Sequence, residues 1–346
     1  MALETVGGRD GRSVVKQAKN SGARTAIVAL CIGGLLAGLG SWLYFDSREE
    51  PDPCRQLLQH ERVSTALAAE YQPDLSCGDL GRAIEHATTG SRPEQQSLSQ
   101  AQAMKDVLVA MGDVLEDEPA PLERQLADPV AKALAGYAGD IFAILVPGDT
   151  EYVRRALPSQ GAWEDAEGAH MSVPHDSLIR IMASLSVSPE AYASLREAMT
   201  HEVAQKFAAA PRTTSEKKLS PYPSITAWAL GSMDAVAHAA RDGIGEDKRG
   251  SWEAKVLTRL SSGAPKPPIP SYDEEPVVHI VVSWKRTLPS DSPDDLLKLL
   301  EKQSAELVRI WTASLGADST VQASLADDAA DRAWSARRST LRELRG

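Results

Sequence analysis

Phenylalanine is almost missing from this chain, three among 346 residues, and cysteine is as rare, also three. With so little phenylalanine, a helical core must take its aromatic bulk from tryptophan. Trp163, Trp228, Trp252, Trp284, Trp311 and Trp334 are therefore read as core residues rather than as a carbohydrate-binding platform. Catalytic signatures are lacking as well. There is no GxSxG elbow. No Walker A loop occurs, and no GxGxxG opens a helix after a strand. His201-Glu202 lies in HEVAQ, which lacks the second histidine of a zinc HExxH, so His201 reads as a helix-surface or core residue. A basic surplus is missing too: the net charge is −11. That excludes nucleic acid as a partner, since its phosphates demand basic patches. The acidic balance reads as solubility. Paired carboxylates for glycoside cleavage stay open, because acids are plentiful and nothing selects two of them. No cofactor is expected.

What is present begins with residues 25–45, TAIVALCIGGLLAGLGSWLYF, which pass without a charge. A bilayer core of about 30 Å needs about 20 apolar residues at about 1.5 Å each. The stretch meets that length, and Trp42 and Tyr44 fall where aromatic rings favour the headgroup layer. The run is too long for a signal-peptide core and lacks a small-x-small cleavage site. Leu30 before Cys31 is a poor match to a lipoprotein processing site. The expectation is a transmembrane helix in contact with lipid. Arg9, Arg12, Lys16, Lys19 and Arg24 outnumber Glu4 and Asp10 on its N-terminal side. Basic flanks stay in the cytoplasm, so the N-terminus is expected inside and the C-terminal bulk outside, on a single-pass plasma-membrane protein. Gly34 and Gly38 form a GxxxG that would let two such helices approach as a homodimer, although glycine is common in membrane helices anyway.

Cys54 and Cys77 are the two cysteines beyond that stretch. An even pair in an exported segment reads as a disulfide. The loop they close holds a helical pattern over 55–70 and a second short helix over 78–86. A polar linker, TGSRPEQQSLS, follows.

Further on, apolar residues recur at helical spacing. Met104, Val107, Leu108, Met111, Val114 and Leu115 mark one helix. Asp128-Pro129 reads as a helix start that runs to Pro147-Gly148. Ser188-Pro189-Glu190 and Pro223-Ser224 open two more, and residues 251–261 and 319–344 read as helices. Asp291–Asp295 reads as another start, continuing through Leu296, Leu300, Leu307 and Trp311. The β-branched run VVHIVVS at 277–283 is the one convincing strand signal, needing a partner or else beginning a helix. The expected fold is mainly α: one N-terminal transmembrane helix and an α-helical ectodomain with at most one short strand pair. The expected parts are a basic tail (1–24), the span (25–45), a disulfide-pinned hairpin with linker (46–99), a helical core (100–262), a proline-rich linker (263–276) and a C-terminal strand-plus-helix segment (277–346).

The loop EDAEGAHMSVPHD, residues 164–176, gathers acids with two histidines. His170, His175 and Asp176 are the candidate ligands for a divalent metal there. The plainer reading is a solvated acidic loop, since no fixed ligand spacing is met.

The segments DPVAKALAGYAGDIFAIL, DSLIRIMASLSVSPEAYASLREAMTHEVAQ and ITAWALGSMDAVAHAARD, within 128–242, resemble a helical module of large actinobacterial surface and polymorphic-toxin-type proteins. The shared features are a helix ending before an acidic loop, a helix–SPEAY–helix pair and a glycine-containing helix. The resemblance implies an envelope setting and transfers no catalytic residue. The functional expectation is a bitopic envelope protein whose helical ectodomain binds another envelope or secreted protein as a scaffold, more than an enzyme. The alternatives are a cell-envelope hydrolase using carboxylates or the acidic histidine-containing loop, and an effector or immunity-like component of a toxin-delivery system.

Overall fold

A computed structural model describes residues 52–89, 96–117, 121–262, 268–289 and 295–346. These are helical almost throughout, with one small two-stranded sheet. The expected transmembrane helix at 25–45, Gly34, Gly38, the basic tail and Asp291–Asp294 lie outside the described residues. Among the described residues no helix is long and apolar enough to cross a membrane.

The helix expected over 55–70 is two helices, α1 (Pro53–Gln59) and α2 (Glu61–Leu67). They part at His60, which is extended and whose Nδ1 accepts the Arg62 N–H at 3.2 Å to cap α2. α3 (Cys77–Thr89) returns the chain, and Cys54 and Cys77 are disulfide-linked, with Cα atoms 5.8 Å apart. Met104, Val107, Leu108, Met111 and Leu115 of α4 (Leu98–Asp117) are buried, as their spacing predicts.

Asp128 does not start a helix. α5 (Arg124–Ala135) begins one turn earlier with Pro129 inside it, and the chain breaks at Gly136-Tyr137 before α6 (Ala138–Leu145). Two contacts account for this. Asp128 spends its carboxylate on the Ser188 hydroxyl and on Arg124 Nε at 3.1 Å. Pro129 has no N–H for the Gln125 carbonyl. That carbonyl lies against Gly81 of α3, where a Cβ would come within 2.9 Å of it.

α7 (Thr150–Arg155) leads to an antiparallel pair, β1 (Trp163–Glu164) and β2 (Ala169–His170), with Trp163 opposite His170. α8 (His175–Leu185) and α9 (Pro189–Ala209) follow, the latter opened by Ser188-Pro189 as expected. α10 (Glu216–Leu219), α11 (Pro221–Asp242) and α12 (Glu246–Ser261) complete the middle.

The strand expected at 277–283 is a helix, α13 (Pro276–Lys285). Pro276 occupies its first turn, and Ile280, Val281, Val282, Trp284 and Lys285 are buried. Burial on more than one side overrides β-branched propensity. The last elements are α14 (Leu296–Glu301), α15 (Gln303–Ser314) and α16 (Ser319–Leu344). α11 and α16 approach so closely that a Cβ on Gly231 would lie 2.1 Å from the Ala333 carbonyl oxygen.

One side chain joins four of these helices. Arg196 of α9 donates to Asp234 Oδ1 (2.6 Å), Gln303 Oε1 (2.6 Å), the Leu300 carbonyl (3.1 Å) and the Leu230 carbonyl (3.3 Å). The apolar core runs without a break from Cys54 to Ala333, and residues 51–346 cluster as one unit. Trp252, Trp284 and Trp311 are buried in it, and Trp163 is buried apart from it, against Tyr152 and His170. Trp228 is half-buried, and Trp334 departs from the core expectation, being half exposed.

Candidate functional site

Chemistry-bearing side chains converge where α6, α7 and the β-hairpin meet. α6 carries Asp140 inward, on a helix whose other inward residues are apolar. Pro147-Gly148 stops that helix, with Gly148 at φ +115°, a conformation that favours glycine. Asp149 then caps α7 by accepting the N–H groups of Glu151 (3.0 Å) and Tyr152 (3.2 Å). This turn brings Tyr152 back over Asp140, and the hairpin delivers His170 from the other side.

Asp140 Oδ1 accepts from the Tyr152 hydroxyl at 2.6 Å and from His170 Nδ1 at 2.8 Å, and Oδ2 accepts the Met171 N–H at 2.9 Å. His170 Nε2 meets Asp165 Oδ1 at 3.0 Å. With a carboxylate on each ring nitrogen, both nitrogens donate and the ring is an imidazolium. The Asp140 hydrogen bond leads in raising the His170 pKa to about 9. Asp165 is held below its ordinary value, first by the Glu167 N–H and then by His170. Burial, with the charge of Asp140 beside it, pushes the Tyr152 phenol up, so it stays a donor. Trp163 packs edge-on to Tyr152 at 4.9 Å, and the Arg155 guanidinium covers Trp163 at 4.9 Å. Lys105 of α4 is fully buried and donates to the Arg155 carbonyl, the last of α7. Burial pushes Lys105 down to about 8.

Both ring nitrogens of His170 are taken by carboxylates. An imidazolium has no lone pair to hold a metal or take a proton. His170 is therefore a clamp on the hairpin. The other candidate ligands go elsewhere: His175 Nδ1 lies 3.0 Å from Glu343 Oε2 of α16, and Asp176 pairs with Arg180 at 2.8 Å. The structure does not bring His170, His175 and Asp176 to one point. Among the described residues, the one group spaced to hold an ion is Asp52, Cys54 and Cys77, and its sulfurs form the disulfide. His201 is exposed on α9.

Beside the clamp lies a groove of about 610 Å³, walled by the end of α6, α7, residues 172–175 and α16. Its lining is mainly apolar, with Leu145, Val146, Val153, Leu157 and Trp228 among the walls and Glu343 at its polar side. A second cavity of about 510 Å³ shares Val146 and Tyr152 with it and adds Ile225. Val153 and Leu157 are 71% and 57% exposed, and Ile225 43%. Sequence reasoning passed over Asp140 and Tyr152, whose partners come from the hairpin, and over Val153 and Leu157. The signal for the last pair was there, two apolar residues four apart flanking a run of arginines in TEYVRRAL.

Comparison with family models, with curated proteins and with solved structures finds no match.

Proposed function

We propose that this chain is a membrane-anchored envelope protein whose helical unit stands outside the membrane and binds another envelope or secreted protein. Residues 25–45 serve as the span and the basic tail stays inside. The observation that carries the binding role is the placing of exposed apolar side chains. Five large ones are exposed among the described residues, and three of them, Val153, Leu157 and Ile225, line the groove and the cavity adjoining it. Scattered singles need no explanation, whereas a cluster in a concave surface marks an interaction site. Burying such a side chain fully is worth about 1.5–3 kcal/mol. Association costs at least about 4 kcal/mol in lost freedom. Three anchors alone therefore support a transient contact, and a lasting one needs the polar rim as well.

His170, held between Asp140 and Asp165, is committed to the hairpin and serves as neither base nor metal ligand there. Export is supported by the Cys54–Cys77 pair, which follows the apolar stretch closely. The resemblance of 128–242 to actinobacterial surface modules fits the same setting.

A photoreactive residue at Leu157 in the full chain, activated in cells, tests the binding role. The expected result is a discrete adduct that disappears with Val153→Asp and does not form from Arg82 on α3. Equal labelling from both positions, or none from Leu157, contradicts it.

A further inference from the structure

A different surface carries a second site. Trp334 of α16 is 50% exposed, the one tryptophan left so open among the described residues. Its helix turns Ala329, Ala333 and Ala336 inward and points the indole out. Arg338, one turn on, lies over the ring at 4.5 Å and braces it. Beside the indole is a cavity of about 530 Å³, within the usual range for small-molecule sites. Lys298 and Glu301 of α14, Lys302, and Asp331 and Arg337 of α16 line it, with Asp234 of α11 at its buried side.

We propose that this cavity binds a neutral saccharide, one ring stacked on Trp334. The charge balance selects the ligand class. Three acids (Asp234, Glu301, Asp331) face three bases (Lys298, Lys302, Arg337). An anion would call for a surplus of bases and a cation for a surplus of acids. A sugar hydroxyl both donates and accepts, and it uses a mixed set. The pattern of commitments leaves groups for it. Glu301 is taken by Arg337 and by His238 at 2.9 Å, and Lys298 by Asp295 at 3.1 Å. Lys302 and Asp331 make no side-chain hydrogen bond or ion pair among the described residues. Asp234 is 3% exposed, and its hydrogen bond to Arg196 uses Oδ1. Oδ2 is left for a donor from the cavity. The polarised C–H face of a sugar ring lies against the electron-rich indole face, while its hydroxyl rim reaches these groups. The site is separate from the apolar groove and does not depend on the role given to that groove.

The test is ¹⁹F NMR on the full chain in lipid nanodiscs, with 5-fluorotryptophan incorporated. A glycoside detergent would compete and is avoided. The seven tryptophans give seven signals, and Trp334→Phe identifies one. Titration with an N-acetylglucosamine trimer and with cellotriose should move that signal saturably for at least one of them, leaving the other six in place. Lys302→Met and Asp331→Asn, both exposed, should weaken the binding at least threefold without moving the remaining signals. A Trp334 signal unmoved by either sugar overturns the proposal. So does one that moves for inorganic phosphate or hexalysine but for neither sugar, which would make this an ion site.

Discussion

Arg196 and Asp234 meet 2.6 Å apart across α9 and α11, with side chains 0% and 4% exposed. A charge so placed is held by its partners, and removing one strands the other. Asp234→Ala should therefore lower stability by about 3–5 kcal/mol in equilibrium urea unfolding. The double change Arg196→Met with Asp234→Leu should cost less than the single one, because no buried charge is left alone. A double variant less stable than Asp234→Ala would show that the carbonyl and Gln303 contacts of Arg196 outweigh the ion pair.

The His170 clamp predicts a pH response. The proton is held more tightly in the folded protein, at about 9 against an ordinary 6.5. Its contribution is complete below pH 6.5 and drains away as pH rises through 9. At about 1.4 kcal/mol per pH unit the full difference has an upper bound of ~3.5 kcal/mol, which solvent screening of this part-exposed group reduces. Lys105 acts oppositely, since its value of about 8 lies below the ordinary 10.5 and high pH relieves its burial. Protection factors of amides 163–171, taken against the intrinsic base-catalysed rates, should thus fall between pH 7 and 9 in the natural protein. His170→Gln should flatten that fall, which separates the histidine from Lys105.

Two glycines give opposite expectations. Gly231→Ala would set a methyl 2.1 Å from the Ala333 carbonyl oxygen, and backbone cannot swing aside as a flexible side chain does. α11 and α16 must separate, at a cost of about 1–3 kcal/mol or more. Gly250 in α12 has nothing within 4 Å of such a methyl. Gly250→Ala should stabilise by about 0.5–1 kcal/mol through helix propensity. Thermal melts of the two variants decide both.

Val153→Asp and Leu157→Asp separate binding from folding. Both positions are more than half exposed, so stability should stay within about 0.5 kcal/mol of the parent. Loss of the groove adduct with an unchanged melt is the expected pair of results. A lowered melt would mean that these side chains support α7 instead.

Helices with one apolar face were legible in the sequence. The α4 stripe, the Ser188-Pro189 start of α9 and the bounds of α16 at 319–344 were all read from spacing and caps. α13 was not, because VVHIVVS carries a strand's composition and becomes helical through the neighbours that bury it. Pro129 misled for a related reason: the Gln125 carbonyl that loses its helical partner lies against Gly81 of α3, far off in the chain. The acidic loop drew attention to His170 as a candidate metal ligand, and its place between Asp140 and Asp165 was not legible there. Its partners Asp140 and Tyr152 lie on α6 and α7, and no local spacing announces them. The role of Gly231 was not legible at all, since the backbone it admits, at Ala333, lies about a hundred residues on.

The whole account turns on which side of the membrane the helical unit occupies. Protease added to intact cells and to spheroplasts, with alkylation of Cys54 and Cys77 before and after reduction, measures this directly. The account predicts that external protease cuts the unit away and that both thiols stay unreactive until reduced. A unit protected from outside, with both thiols freely alkylated, would place it in the cytoplasm and contradict the anchor, the orientation and the envelope partner together.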